Sequence, residues 1–221
     1  MIRFEDVRKA YRTPKGSRHV LRGMTLALPK DRNVGIVGRN GAGKSTLLKM
    51  ISGVVRPDSG RIERSCRVSW PLGFAGGFHP ALTGRQNARF VARVYGADTD
   101  RLVAFVDEFA GLGEFLDMPF DTYSTGMRAR LAFGVSMAAD FDCYLVDEIT
   151  AVGDADFRQK CTHYLKSKLS YAQVIMVSHT EETLRQYCDS VLLLDDGHAW
   201  YFDSLDEGLE AYRARPASRP H

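Results

Sequence analysis

The chain has 221 residues, 44% of them hydrophobic and 26% charged with both signs present. That is the balance of a globular protein able to bury one good-sized core or two small ones, and it excludes disordered and fibrous classes. A net charge of +3 falls short of the basic stripe that marks nucleic-acid binders, so no nucleic-acid partner is expected.

Seven Lys or Arg between residues 1 and 22 stand against Glu5 and Asp6, a run that reads first as the solvated face of an N-terminal sheet. Cys66, Cys143, Cys161 and Cys188 form neither a C-x-x-C pair nor a cluster with histidines. Reduced, mostly buried thiols are expected rather than zinc ligands or a disulfide scaffold. The start Met1-Ile2-Arg3-Phe4 has no apolar stretch behind it, so no secretory signal is expected. Apolar runs stay far short of the ~20 residues that span a bilayer, which leaves any membrane role to a partner.

In chain order, short apolar runs bounded by turn residues predict strands over 2–4, 20–28 and 34–37. A helix follows over 44–52, then a turn at Pro57-Asp58-Ser59-Gly60. Helical periodicity marks 84–95, 100–109, 127–138 and 157–169, and Thr83 with Gln86 three residues later is a capping-box pattern opening the first of these. Strands are predicted over 144–146, 174–177 and 191–194, several of them β-branched and continuous as buried parallel strands are. Asp196-Gly197 signals a two-residue hairpin to 198–202. The segment 215–221 carries two prolines and is expected to fray.

Helices without a convincing strand fill 82–139, while both flanks alternate strand and helix. The expectation is a single 1–221 unit of the α/β class: a P-loop core over 1–81 and 140–214 with an N-terminal antiparallel β subdomain, and a helical subdomain inserted at 82–139.

The strand over 34–37 runs into Gly38-Arg39-Asn40-Gly41-Ala42-Gly43-Lys44-Ser45-Thr46 and then an apolar helix, the setting that G-x-x-x-x-G-K-[ST] requires. Glycines let backbone N–H groups wrap a β-phosphate, and the helix N-terminus adds its positive end. Lys44 is assigned to the β- and γ-phosphates of ATP, Ser45 to Mg²⁺, and Thr46 to the α-phosphate side. Farther on, Cys143-Tyr144-Leu145-Val146 ends in Asp147-Glu148, a buried strand delivering two carboxylates to the edge where ligands sit in open α/β sheets. Asp147 is assigned to Mg²⁺ through water, and Glu148 to the attacking water.

Tyr123-Ser124-Thr125-Gly126-Met127 resembles the signature loop of ATP-binding-cassette ATPases, whose common form is Leu-Ser-Gly-Gly-Gln; Ser124 and Gly126 are kept and the other three positions depart. The order of elements strengthens the resemblance. It implies Tyr11 as the ring stacked on adenine, Ala151-Val152-Gly153-Asp154 as the D-loop, and His179 as the γ-phosphate sensor, although His179 alone would read as a strand-end histidine. The Ser124 hydroxyl and the N–H groups behind it form an anion site, which in this family faces the nucleotide of the opposite subunit, so ATP joins a homodimer. The glutamine expected in the loop entering the helical lobe is missing from 70–80, where His79 is the polar stand-in.

Ser69-Trp70-Pro71-Leu72-Gly73, Gly76-Gly77-Phe78, Leu82-Thr83-Gly84-Arg85 and Ile149-Thr150-Ala151-Val152-Gly153-Asp154 together resemble the ATPase subunits of bacterial polysaccharide exporters, capsular ones above all. O-antigen and teichoic-acid exporters remain as alternatives, as does, more distantly, a cassette ATPase acting on ribosomes or DNA. A P-loop GTPase or kinase is disfavoured because no N-K-x-D motif is present.

The resemblance implies a homodimer at the cytoplasmic face of the inner membrane, beneath two copies of a permease. It further implies a periplasmic co-polymerase-type adaptor, an outer-membrane channel and a lipid-linked polysaccharide substrate. Phe74, Phe78 and Trp70 are read either as receivers of a permease helix or as core packing. The basic loop 13–19 is read as a contact for an anionic lipid-linked glycan.

Overall fold

A computed structural model describes every residue except Lys15, Ala75, 148–154 and 216–221. Glu148 and the expected D-loop, Asp154 included, lie outside the described residues. Two compact units divide the chain: Met1–Trp70 with Asp142–Glu148 and Ala172–His221, and Pro71–Phe141 with Ile149–Tyr171.

The first unit holds two sheets. β1 (Ile2–Thr13) pairs antiparallel with β2 (Gly16–Leu28) and with β4 (Ser59–Arg64), in the order β2-β1-β4. A six-stranded sheet runs β5 (Val68–Pro71), β6 (Cys143–Asp147), β7 (Gln173–Val177), β3 (Val34–Gly38), β8 (Ser190–Asp195), β9 (His198–Phe202). β6, β7, β3 and β8 are parallel neighbours, and all five residues of β3 and of β7 are buried, as their continuous apolar sequences predict. β8 turns back into β9 through Asp196 and Gly197, at φ 43° and 79°. Positive φ at both central positions matches the right-handed twist of the flanking strands and explains the Asp-Gly pair.

α1 (Lys44–Ile51) buries Leu47, Leu48, Met50 and Ile51. These join Ile36, Leu145, Ile175 and Leu192 of the large sheet and Phe4, Leu21 and Leu28 of the small one in a single core. Arg64 donates to the carbonyls of Ile51 at 2.5 Å and Met50 at 2.6 Å, which satisfies orphan acceptors at the end of α1 and places a cation at its negative pole.

The second unit is helical: α2 (Gly84–Val94), α3 (Thr99–Ala110), α4 (Thr125–Ala138) and α5 (Ala155–Leu169). Its core is built around Phe109, whose ring lies 5.4 Å from Phe105, 6.0 Å from Phe133, 5.4 Å from Phe157 and 5.0 Å from Tyr164. The Thr83–Gln86 capping box opens α2, and Asp98 and Ser124 cap α3 and α4. Sequence periodicity placed the inserted helices at 82–139, and the structure groups α5 with them.

Several elements differ from expectation. β4 begins at Ser59, inside the expected turn, and carries a single apolar residue, Ile62, as suits an exposed edge strand. β5, α6 (Glu181–Tyr187) and α7 (Leu205–Arg213) gave no clear signal, since four- to nine-residue elements hold too few periods to be recognised. No helix among the described residues is long and apolar enough to cross a membrane.

Candidate functional site

Parallel register assembles the site. Ile36 of β3 lies level with Val177 of β7, and Val177 lies level with Asp147 of β6. The loop that starts at Gly38, the carboxylate of Asp147 and His179 two residues past Val177 therefore emerge together at the carboxyl edge of the sheet, where open α/β folds bind ligands.

The loop is shaped for an anion. Gly41 and Gly43 hold φ of 79° and 102°, conformations that a side chain would strain. Gly43 is also the N-cap of α1, and neither a capping side chain nor an acid occupies that first turn. Helix-opening N–H groups without such partners make an anion site. Lys44, 7% exposed, turns its ammonium back to the carbonyls of Gly38 at 2.6 Å and Arg39 at 3.0 Å. Burial holds its pKa below the ordinary lysine value, while the nearby carboxylate of Asp147 opposes that shift. The cation is thus buried beside one carboxylate, a poor arrangement by itself and a good one once phosphate oxygens arrive.

A cleft of about 680 Å³ opens over this loop, lined by Asn40, Gly41, Gly43, Lys44, Ser45, Thr46, Asp147 and His179, and by Tyr11, Arg18 and Val20 from the small sheet. Nine of the predicted site residues therefore share one surface: Tyr11, the six loop residues, Asp147 and His179. A hydroxyl from Ser45 and a carboxylate from Asp147 are the hard oxygen donors that suit Mg²⁺. Such a cation would neutralise phosphate charge in the cleft.

Arg18 and Val20 were not foreseen as site residues. The segment 13–19, expected as a basic loop reaching for a glycan, is instead mostly strand, with Thr13 paired to Gly16 and Tyr11 to Arg18. Arg18 donates to the Gly41 carbonyl at 2.7 Å. Lys15 lies outside the described residues. Pro14 and Gly16 are turn residues, and the register that follows from that turn is the sequence signal for Arg18.

Gly38, Arg39 and Ala42 belong to the same loop without lining the cleft, Arg39 instead facing a pocket with Leu193 and Tyr212, whereas Ser124, Gly126 and His79 belong to the helical unit. Ser124 and Gly126 are exposed at the opening of α4, where the Ser124 hydroxyl accepts from Met127 N at 3.2 Å and no acid sits in the first turn. Arg128 donates to the carbonyls of Tyr123 at 3.1 Å and Asp121 at 2.9 Å, which adds positive charge there. Tyr123, a departure from the common signature, is 4% exposed and donates to Phe115 O at 2.5 Å; it anchors the loop from below.

His79 is exposed, and its Nδ1 accepts from Ala81 N at 3.2 Å, so that nitrogen closes its own turn. Phe78 meets Phe120 edge-to-face at 5.3 Å, which is the packing reading of that ring.

A phosphate-shaped loop, a buried lysine, a hydroxyl and a carboxylate at the end of a parallel sheet define a P-loop nucleoside triphosphatase. The ABC transporter family model matches residues 21–151. The polysialic acid transport ATP-binding protein KpsT of Escherichia coli is 49% identical over 217 residues, covering 96% of this chain and 99% of that protein. The capsule polysaccharide export ATP-binding protein CtrD of Neisseria meningitidis serogroup B is 46% identical over 216 residues, covering 98% and 100%. Among solved structures, the ATP-binding cassette MJ0796, a dimer in a post-hydrolysis state bound to ADP and Pi, superposes with a TM-score of 0.73 at 20% identity over 93% of this chain and 99% of that one; at that identity the likeness bears on the fold. The chain belongs to the ABC transporter family.

Proposed function

We propose that this chain is the ATP-hydrolysing subunit of a bacterial exporter of lipid-linked capsular polysaccharide, acting as a homodimer beneath two copies of a permease at the cytoplasmic face of the inner membrane. The observation that carries the ATPase reading is the meeting of Tyr11, Lys44, Ser45, Asp147 and His179 on one cleft. The cargo is supported by near full-length similarity to KpsT and CtrD and by the polysaccharide-exporter motifs of the sequence. A co-polymerase-type adaptor and an outer-membrane channel complete the proposed route on that same resemblance.

Tyr11 would stack on the base, Lys44 would sit between the β- and γ-phosphates, and Ser45, with Asp147 through water, would hold a Mg²⁺ that balances the phosphates' negative charge. Glu148 orients the attacking water and His179 reads the γ-phosphate. Ser124 and the opening of α4 on a second copy receive the same γ-phosphate, so nucleotide binding closes the pair and hydrolysis releases it.

Glu148→Gln tests this arrangement. It is expected to abolish steady-state hydrolysis and to leave a dimer in Mg-ATP by size-exclusion chromatography with light scattering. A variant that stays monomeric in Mg-ATP contradicts the composite site. Loss of surface polysaccharide on deleting the gene, restored by the wild type and not by Glu148→Gln, tests the cargo.

A further inference from the structure

The small sheet reaches the nucleotide cleft through one hairpin, in which Tyr11 and Arg18 are directly opposed across β1 and β2. Residues opposed in an antiparallel pair project to the same face of the ribbon, and both of these line the cleft. Arg18 spans the gap to the other wall. Its Nη2 donates to the carbonyl of Gly41 at 2.7 Å, a charge-assisted bond between the hairpin and the middle of the phosphate loop. Gly41 is fitted to it: a Cβ at that position would run into the Arg18 guanidinium, and the backbone there is at φ 79°.

The ring itself is weakly held. Tyr11 is 42% exposed, and the cation over its face is Lys9, at 5.4 Å from the ring centre and itself paired with Asp58 at 2.7 Å. An exposed ring on a two-stranded ribbon end has little to fix its distance from a phosphate site in another element. The Arg18–Gly41 bond supplies that fixation, because it ties the cross-strand neighbour of the ring to the loop that wraps the phosphates.

We propose that Arg18 is a positioning residue for the nucleotide base: it pins the hairpin carrying Tyr11 to the phosphate loop at Gly41, so that ring and phosphate cradle are held at the spacing of a purine nucleoside triphosphate. The cleft then favours a nucleotide over a bare polyphosphate because of this pin. The inference rests on the nucleotide reading of the cleft, and the experiment separates the two.

Titration calorimetry on the full chain would measure affinity for Mg-ATP and for Mg-tripolyphosphate, which carries the phosphates without the base. Removing a charge-assisted hydrogen bond predicts that Arg18→Ala weakens ATP about tenfold and tripolyphosphate by less than about twofold. Tyr11→Ala is expected to show the same selective loss, and the double variant no more than the larger single loss, as for residues acting as one unit. Arg18→Lys, which keeps a donor, should fall between wild type and Arg18→Ala. Arg18 is exposed, so thermal stability should hold in all of these.

Equal losses for ATP and tripolyphosphate would make Arg18 a phosphate counter-charge and overturn the pin. Additive losses in the double variant, or no loss at all in Arg18→Ala, would overturn it as well. Wild-type protein that bound ATP no more tightly than tripolyphosphate would instead overturn the nucleotide reading of the cleft.

Discussion

The ammonium of Lys44 donates to the carbonyl of Gly38, 2.6 Å away, and so closes the phosphate loop on itself. The same ammonium reaches Arg39 O at 3.0 Å, so the loop is tied together by the residue assigned to the phosphates. Lys44→Ala removes both the internal tie and the charge. Loss of a charge-assisted contact of this kind costs at least about 1.5–3 kcal/mol, so ATP affinity should fall by about tenfold or more in a titration. Unchanged affinity would remove Lys44 from the site.

Asn87 ties the entrance of α2 together through both ends of its side-chain amide. Its Oδ1 accepts from His79 N at 2.8 Å, and its Nδ2 shares two hydrogens among the carbonyls of His79, Leu82 and Thr83 at 3.1, 3.2 and 3.1 Å, all from a residue 1% exposed. Asn87→Ala would leave the part-buried His79 N–H without its acceptor, while the three carbonyls keep the backbone donors Leu82 N, Phe120 N and residue 87 N; the loss should be about 1–3 kcal/mol in denaturant unfolding. Asn87→Asp should be worse, because a carboxylate keeps the acceptor and faces three carbonyls with no donor. His79→Ala removes one exposed acceptor and should cost under about 1 kcal/mol. A larger loss from His79 than from Asn87 would mean the loop is organised from the histidine outward.

The strand–loop–helix over 34–51 and the run ending at Asp147 were legible in the sequence because each carries its signal locally: glycines where φ must be positive, and continuous apolar residues where a strand is covered on both faces. The Asp196-Gly197 hairpin and the Thr83–Gln86 box were legible for the same reason. What escaped was non-local. β4 is a strand because β1 offers it an edge, and its own sequence, one isoleucine among polar residues, does not say so. Arg18 is a cleft residue because of a register fixed by the turn before it, whereas charge counting reads this stretch only as the solvated face of a sheet. His79 was a stand-in for a missing glutamine by its place in the chain, and the structure gives its Nδ1 a turn to close.

Ser124 has one role that the structure displays, as the cap of α4 through Met127 N, and one that the composite site requires of it. Two substitutions separate them. Ser124→Ala removes the cap and should cost about 1 kcal/mol of stability. Ser124→Asp keeps an equally good cap, so the melting temperature should hold, yet it places a carboxylate where a partner's γ-phosphate would dock. Steady-state hydrolysis and ATP-dependent dimerisation should therefore collapse in Ser124→Asp despite intact folding. An active, dimerising Ser124→Asp protein would leave Ser124 as a helix cap alone.

Stability should fail on the acid side, through carboxylates that are anchored in the fold. Asp58 accepts from Lys9 Nζ and from Ala10 N, each at 2.7 Å, and the lysine bond first and the backbone bond second hold its pKa below the ordinary value. Asp142 is lowered chiefly by Arg67 N at 2.7 Å, and Asp117 chiefly by the Arg85 guanidinium. A carboxyl whose folded pKa lies below its unfolded one releases its proton more readily when folded. Its contribution is therefore complete above the unfolded value, near 3.9, and is lost as pH falls through the lowered folded values. Melting temperature followed by circular dichroism should be flat from about pH 8 to about pH 5 and drop steeply below about pH 4. Asp58→Asn keeps an acceptor and loses the charge, so it should melt below wild type at neutral pH and approach it under acid. Two curves that stay parallel down to about pH 3 would mean that Asp58 adds nothing through its charge.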